Sequence, residues 1–400
     1  MTRLALLSVL GLATASALAQ QDLLVKARSV VVAADTVLTG GELLVRQGRI
    51  AFVGSEIPAD SRARARLLDH ADATLVPGFV LAHGWLGQEA DLAERANAFT
   101  PELRAAEAFD PFQDELQALA RYGVTSCALA PSSRNVVGGI AALIKPGADC
   151  GTVATDDLFL KLSLVAAARD QERWPTSLMG AVELLRTAFT AARNPATANA
   201  RDLLPLRQCL QRARRACIHA DTYAELIAAL ELSKEFGIEP VLVGAAEADK
   251  CLPRIKAQNA SVVLAPLAVD ARQRQLELPG MLERAGIPFA FTSQQPELLR
   301  VSAALAVHNG CSRKAALAAL TRTPAELLDQ AAAIGSLRTG CAADFCVFSG
   351  DPLDLGSRLL AVYVGGVRCD RRSTGKTPAV LPPRHPTAPA TVSSTVEEHR

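Results

Sequence analysis

Between residues 79 and 334, short apolar runs alternate with stretches of helical periodicity, and this alternation restricts the chain to an α/β architecture. The runs are FVLAHG, VTSCALA, AALIK, FLKLSLV, CIHA, VLVG, VVLAP and FAFTS, eight in all. Helical patterns fall between them. Residues 101–121 carry Pro101 early and Gly123 just past the end. Residues 221–236 offer Asp221 as N-cap, with Gly237 as the stop. Eight strands alternating with helices over this length predict a (β/α)8 TIM-like barrel. The interval between VTSCALA and AALIK is too short for a crossover helix, which makes the middle of that count soft. A doubly wound sheet is the competing architecture, but no GxGxxG loop supports it.

The flanks read differently. Residues 21–78 are β-rich and broken by Gly40-Gly41 and Gln47-Gly48, both hairpin signals. Residues 335–369 have the same character, so the two ends are expected to form one small β-sandwich module beside a barrel at 79–334. The first 19 residues read as a signal peptide. Arg3 is followed by the apolar stretch Leu4 to Ala13 and by a small-residue Ala17-Leu18-Ala19 site. The apolar stretch is shorter than the roughly 20 residues that a membrane-spanning helix needs. A secreted or periplasmic mature protein with no remaining membrane segment is expected. Residues 371–400 hold five of the 22 prolines without apolar periodicity, and a disordered tail is expected there.

Composition bears on partners. The formal net charge is +1 with no long run of one sign, so no nucleic-acid partner is expected. Nine cysteines in an exported chain raise the question of disulfides. Cys127, Cys217 and Cys346 sit inside strand-like apolar runs, where a thiol behaves as a small hydrophobe. No CxxC spacing suggests a zinc knuckle. One or two bridges remain open.

In a barrel, reactive groups sit at the carboxyl ends of strands. His83 in FVLAHG and His219 in CIHADTYAE have that placement. His70, His308, His385 and His399 fall in the β module, on a helix and in the tail, and read as structural or solvated. The segments RQGRIAFVG, VPGFVLAHGWLG, YGVTSCALAPSSRNVVGGIAALIK and GSLRTGCAADFCVFSGDPLD together resemble the amidohydrolase superfamily, nearest its imidazolonepropionase-like branch. The resemblance covers most of residues 21–369. It implies a barrel with a split β sandwich, in which one or two divalent metals activate water against a C–N bond.

That chemistry needs about three protein ligands and an open coordination position. The resemblance implies a His-x-His on the first strand, a mid-barrel Lys or Glu, histidines on the fifth and sixth strands, and an Asp on the eighth. This chain keeps His83 but has Trp85 as the second member of the pair. It keeps His219, followed by Asp221, and has Gly244 on the sixth strand. Gln294 and Gln295 stand where Asp-His is expected, and Leu178 stands where the related motif carries Arg. Trp85 donates no lone pair, Gly244 offers only backbone, and neutral Gln294 cannot take a proton from water. The remnant metal candidates are His83, His219 and Asp221, with Lys145 at the end of AALIK as a fourth.

The expectation is therefore an exported amidohydrolase-like chain, degenerate as a catalyst, that binds no cofactor. It would act as a binding or partner subunit, in a homodimer or beside an active relative. A small-molecule ligand is expected to meet Trp85, Gln294 and Gln295. The alternative is an active hydrolase with one divalent metal, zinc, at low occupancy. A metal-free covalent mechanism has less support. Ser132 and Ser133 flank the Gly-Gly loop, but GxSxG is absent and no His–Asp pairing is evident, so Ser132, Ser133 and Asn135 read as turn residues.

Overall fold

The computed structural model describes residues 21–369, apart from 88, 170–172 and 198. The expected leader at 1–19 and the expected tail at 371–400, with His385 and His399, lie outside the described residues.

The described residues begin with β1 (Leu23–Ala33), β2 (Thr36–Thr39), β3 (Glu42–Arg46), β4 (Arg49–Gly54) and β5 (Arg66–Pro77). The turn from β3 to β4 is Gln47-Gly48, with φ of 49° and 72°, the left-handed pair that a two-residue hairpin turn demands. Next come β6 (Phe79–Gly84), β7 (Val124–Leu129), β8 (Val137–Ile140), β9 (Ala142–Lys145) and β10 (Thr152–Thr155). They are followed by β11 (Phe159–Ser163), β12 (Arg215–Ala220), β13 (Pro240–Gly244), β14 (Ser261–Leu264) and β15 (Phe289–Phe291). The last described strands are β16 (Phe345–Phe348), β17 (Leu359–Val364) and β18 (Val367–Arg368).

β16 pairs with β5, so both ends of the chain share one mixed sheet in the order β18-β17-β16-β5-β1-β3-β4, with β2 on β1. The central strands form two further sheets, β10-β9-β7-β6 and β15-β14-β13-β12-β11-β8. Every residue of β6, β7 and β13 is buried, as strands covered on both faces require.

The expected ring of eight parallel strands is not what the described residues form. Only seven residues, 130–136, separate β7 from β8, too few for a crossover, so the chain turns back and runs antiparallel. One reversed run then serves both sheets. β8 pairs with β11, β9 pairs with β7, and Ala141 between them exchanges backbone bonds with the β11 edge through Leu158 and Phe159. At the other gap, residues 319 and 320 insert between β6 and β15: Val80 N donates to Leu320 O, and Phe291 N donates to Ala319 O. The ladders do not close into a single ring among the described residues.

Two helix expectations also change. The helix expected over 101–121 is confined to Asp114–Arg121, with a short 3-10 turn at Ala105–Ala108. The second helix, Tyr223–Phe236, is capped by Thr222 in a capping box with Glu225, not by Asp221, and ends at Gly237 with φ 71°. The nine cysteines form no disulfide, and all but Cys150 are buried.

One junction between the end sheet and the central strands is built around Gly78 and Asp344. Gly78 links β5 to β6, and a Cβ there would lie 2.0 Å from Thr125 Oγ1. Gly78 N donates to Asp344 O at 2.9 Å. The Asp344 carboxylate is buried and accepts from Lys145 Nζ at 2.6 Å and from Gly365 N at 2.8 Å. Removing one partner of such a pair leaves a buried charge uncompensated. Lys145→Met is accordingly expected to cost about 3 kcal/mol or more, read from the urea midpoint. No loss of stability would show that this pair does not hold the junction.

Candidate functional site

The carboxyl ends of β6, β12 and β13 bring His83, His219 and Gly244 together, and Lys161 reaches them from the middle of β11. Strand pairing sets the level of each residue. Lys161 is paired with Cys217 across β11 and β12, and His219 with Val243 across β12 and β13. Lys161 is fully buried, and its Nζ lies within hydrogen-bond distance, 2.8 Å, of His83 Nε2. The His83 and His219 rings are 6.3 Å apart between centroids.

Burial controls the charge of these groups. It drives the His83 imidazole well below its ordinary range, with Lys161 and His219 adding to the shift. Burial also lowers the Lys161 amine to about 7, against a smaller opposing pull from Cys217 and Asp221. His219 is lowered by burial as well, partly offset by its hydrogen bond to Asp221.

His219 is held from both sides. Its Nδ1 lies 2.7 Å from Ser133 Oγ, and its Nε2 lies 3.5 Å from Asp221 Oδ2. Asp221 is free to face His219 because Thr222 does the capping. The backbone N–H groups of Asp221 and Thr222 are gathered by the buried Glu225 carboxylate, which Arg169 also meets at 2.7 Å. Gly244 completes the pocket wall with φ 86°. A Cβ there would lie 2.1 Å from Asp221 Oδ1 and 2.8 Å from His219 Nε2, so the glycine makes room for the pair. Beyond it a cavity of about 280 Å³ opens, lined mainly by Ala, Leu and Pro side chains from Leu264 to Leu278.

The remaining candidates lie elsewhere. Trp85 and Gln294 meet each other: Trp85 N donates to Gln294 Oε1 at 3.2 Å. They line a separate cavity of about 100 Å³ with Glu115 and Leu119 of the helix Asp114–Arg121. β6 ends at Gly84, so the strand alternation that would aim Trp85 the same way as His83 stops one residue short. Gln295 is exposed, and its backbone closes a turn with Ser293 Oγ. Lys145 corrects the expectation most clearly. Because β9 runs antiparallel to β7, its last residue lies toward the amino-terminal end of β7, where it pairs with Asp344. Strand reversal thus removes Lys145 from the candidate set and carries Ser133 into it.

Two residues of the site escape a reading of the sequence. Lys161 lies mid-strand in FLKLSLV, and a lysine inside so apolar a run is the available signal. Ser133 reads as a turn residue, since its distance from His219 is set by the reversed strand.

The resemblance implies a divalent metal, and the donor set can be tested against one. His83, His219 and Asp221 lie together with Lys161, but Trp85 and Gln294 line a separate cavity. Gly244 supplies no side chain. Among the described residues, no group of three or more His, Cys, Asp or Glu side chains is arranged to hold a metal ion. These residues do not fit a binuclear centre.

The native state keeps Lys161 and both imidazoles depleted in protons relative to the unfolded chain, so stability rises with pH wherever the unfolded chain binds more protons. For Lys161 that window runs from about 7 up to the ordinary 10.5 of its amine. Lys161→Met removes this proton-linked cost. The variant is expected to exceed the parent most in stability near pH 7, by a few kcal/mol, since each tenfold loss of proton affinity on folding costs about 1.4 kcal/mol. Its advantage should shrink toward pH 10 in urea titrations, and an advantage that did not vary with pH would count against a neutralised Lys161.

No protein-family model matches the chain. It is 24% identical over 386 residues to the amidohydrolase tasK of Hapsidospora irregularis, a match covering 82% of this chain and 39% of that protein. The chain therefore spans well under half the length of that curated relative. An amidohydrolase from Thermotoga maritima MSB8 superposes with a TM-score of 0.78 at 27% identity, covering 88% of this chain and 100% of that one. Ochratoxinase of A. niger superposes with a TM-score of 0.57 at 16% identity, covering 89% and 97%, and shares the fold alone. The motifs at both ends of the chain, the strand-end histidines and these likenesses agree, and the chain belongs to the amidohydrolase superfamily of hydrolases.

Proposed function

We propose that this amidohydrolase-family chain has lost the metal-dependent chemistry of C–N bond hydrolysis and keeps the mouth of the fold as a small-ligand site. The observation that carries this reading is the loss of donors: Gly244 has no side chain to offer, Trp85 and Gln294 line a separate cavity, and among the described residues no three His, Cys, Asp or Glu side chains are arranged to hold a metal. The small apolar cavity beyond Gly244 supports a ligand with an apolar group near His219.

Several finer features belong to the same proposal. The two central sheets are two arcs of a (β/α)8 barrel over 79–334, and the mixed sheet of 21–78 with 335–369 is the β-sandwich module of that family. Residues 1–19 direct export and are removed, leaving a secreted or periplasmic protein. The chain acts as a binding or partner subunit, as a homodimer or beside an active relative.

Metal analysis of the protein, purified without chelator, tests the reading. Zinc, manganese and iron are each expected well below one per chain. One tightly held metal per chain, lost in His83→Ala, would overturn it in favour of a single-metal hydrolase.

A further inference from the structure

The grouping around His219 has a use that does not involve a metal. Ser133 Oγ, the His219 ring and an Asp221 carboxylate oxygen form a line, with separations of 2.7 Å and 3.5 Å. We propose that Ser133 is a nucleophile toward acyl compounds, with His219 as its general base and Asp221 as the residue that positions the imidazole. This deepens the ligand-site reading above and rests on the mouth being free of metal.

The arrangement meets the geometric requirement for an activated hydroxyl: nucleophile and base within hydrogen-bond reach, and a third group on the far side of the base. The roles of the ring nitrogens follow from their neighbours. Asp221 favours the hydrogen on Nε2, which leaves the Nδ1 lone pair directed at the Ser133 hydroxyl. Access is adequate, since Ser133, His219 and Asp221 are each partly exposed. The loop that carries Ser133 also contributes Pro131 to a cavity of about 410 Å³, lined further by Leu92, Glu94, Leu103 and Arg104. The same loop is held from outside by Arg173, which donates to Arg134 O and Asn135 Oδ1.

The step balances without any other reactant than water. Ser133 Oγ adds to the carbonyl carbon of an ester as its proton passes to His219 Nδ1. The bond from that carbon to the leaving alkoxy oxygen breaks, and the proton on Nδ1 goes to the departing alcohol. A water molecule then cleaves the serine ester by the reverse proton transfers, releasing a carboxylic acid and restoring the hydroxyl.

An alkyl fluorophosphonate reports on such a serine directly. The full-length protein, with and without EDTA, is expected to take up one adduct per chain, mapped to Ser133 by peptide mass and absent from Ser133→Ala. His219→Gln should slow labelling by about 100-fold or more. Asp221→Asn should slow it, and Asp221→Glu should restore part of the rate, with thermal melts confirming that each variant folds. If His219→Gln does not fold, the Asp221 pair carries the comparison. Absence of a Ser133 adduct in both conditions, or a labelling rate unchanged across the folded variants, overturns the inference and leaves the metal-free reading standing. Labelling that appears only after EDTA treatment supports the nucleophile and overturns the metal-free reading.

Discussion

A seven-residue connection cannot carry a chain back to the start of its sheet, and the central part of this fold follows from that limit. With no room for a crossover after β7, the chain must return antiparallel. The returning run then has an edge for each sheet, one toward β7 and one toward β11. Its direction also decides which residues lie where. The residues preceding β8 fall at the carboxyl ends of the parallel strands, and the last residue of β9 falls at the other end.

Those two placements separate structure from chemistry. Lys145 becomes the partner of Asp344 at the junction with the end sheet, where a buried carboxylate needs a cation. Ser133 becomes a neighbour of His219. Gly78 and Gly244 serve the same geometry by omission. Each stands where a Cβ would collide with the side chain the fold places there, Thr125 in one case and Asp221 in the other.

At the mouth, the cost of burying charge governs the arrangement. Lys161 and His83 are enclosed without a carboxylate as direct partner, and burial lowers the proton affinity of both while they lie 2.8 Å apart. His219, nearer solvent, keeps a carboxylate beside it and a hydroxyl in front of it. The two strand-end histidines therefore have different surroundings, a buried amine in one case and a hydroxyl with a carboxylate in the other.

The α/β class, the β-rich ends, the placement of His83 and His219 at strand ends and the family are all legible in the sequence, because periodicity and short motifs are local properties. Strand direction is not. AALIK reads the same whether it runs parallel or antiparallel, so its lysine is expected at the wrong end. The capping residue is legible only to within one position, and moving the cap from Asp221 to Thr222 is what frees the carboxylate for His219. Lys161 is visible as a lysine in an apolar strand, but its partner comes from a strand 78 residues earlier. The sequence alone determined which elements form and which residues could take part in chemistry. Only the tertiary structure decided which of them meet, because distances between strands depend on pairing, direction and register, and none of these is encoded by residues adjacent in the chain.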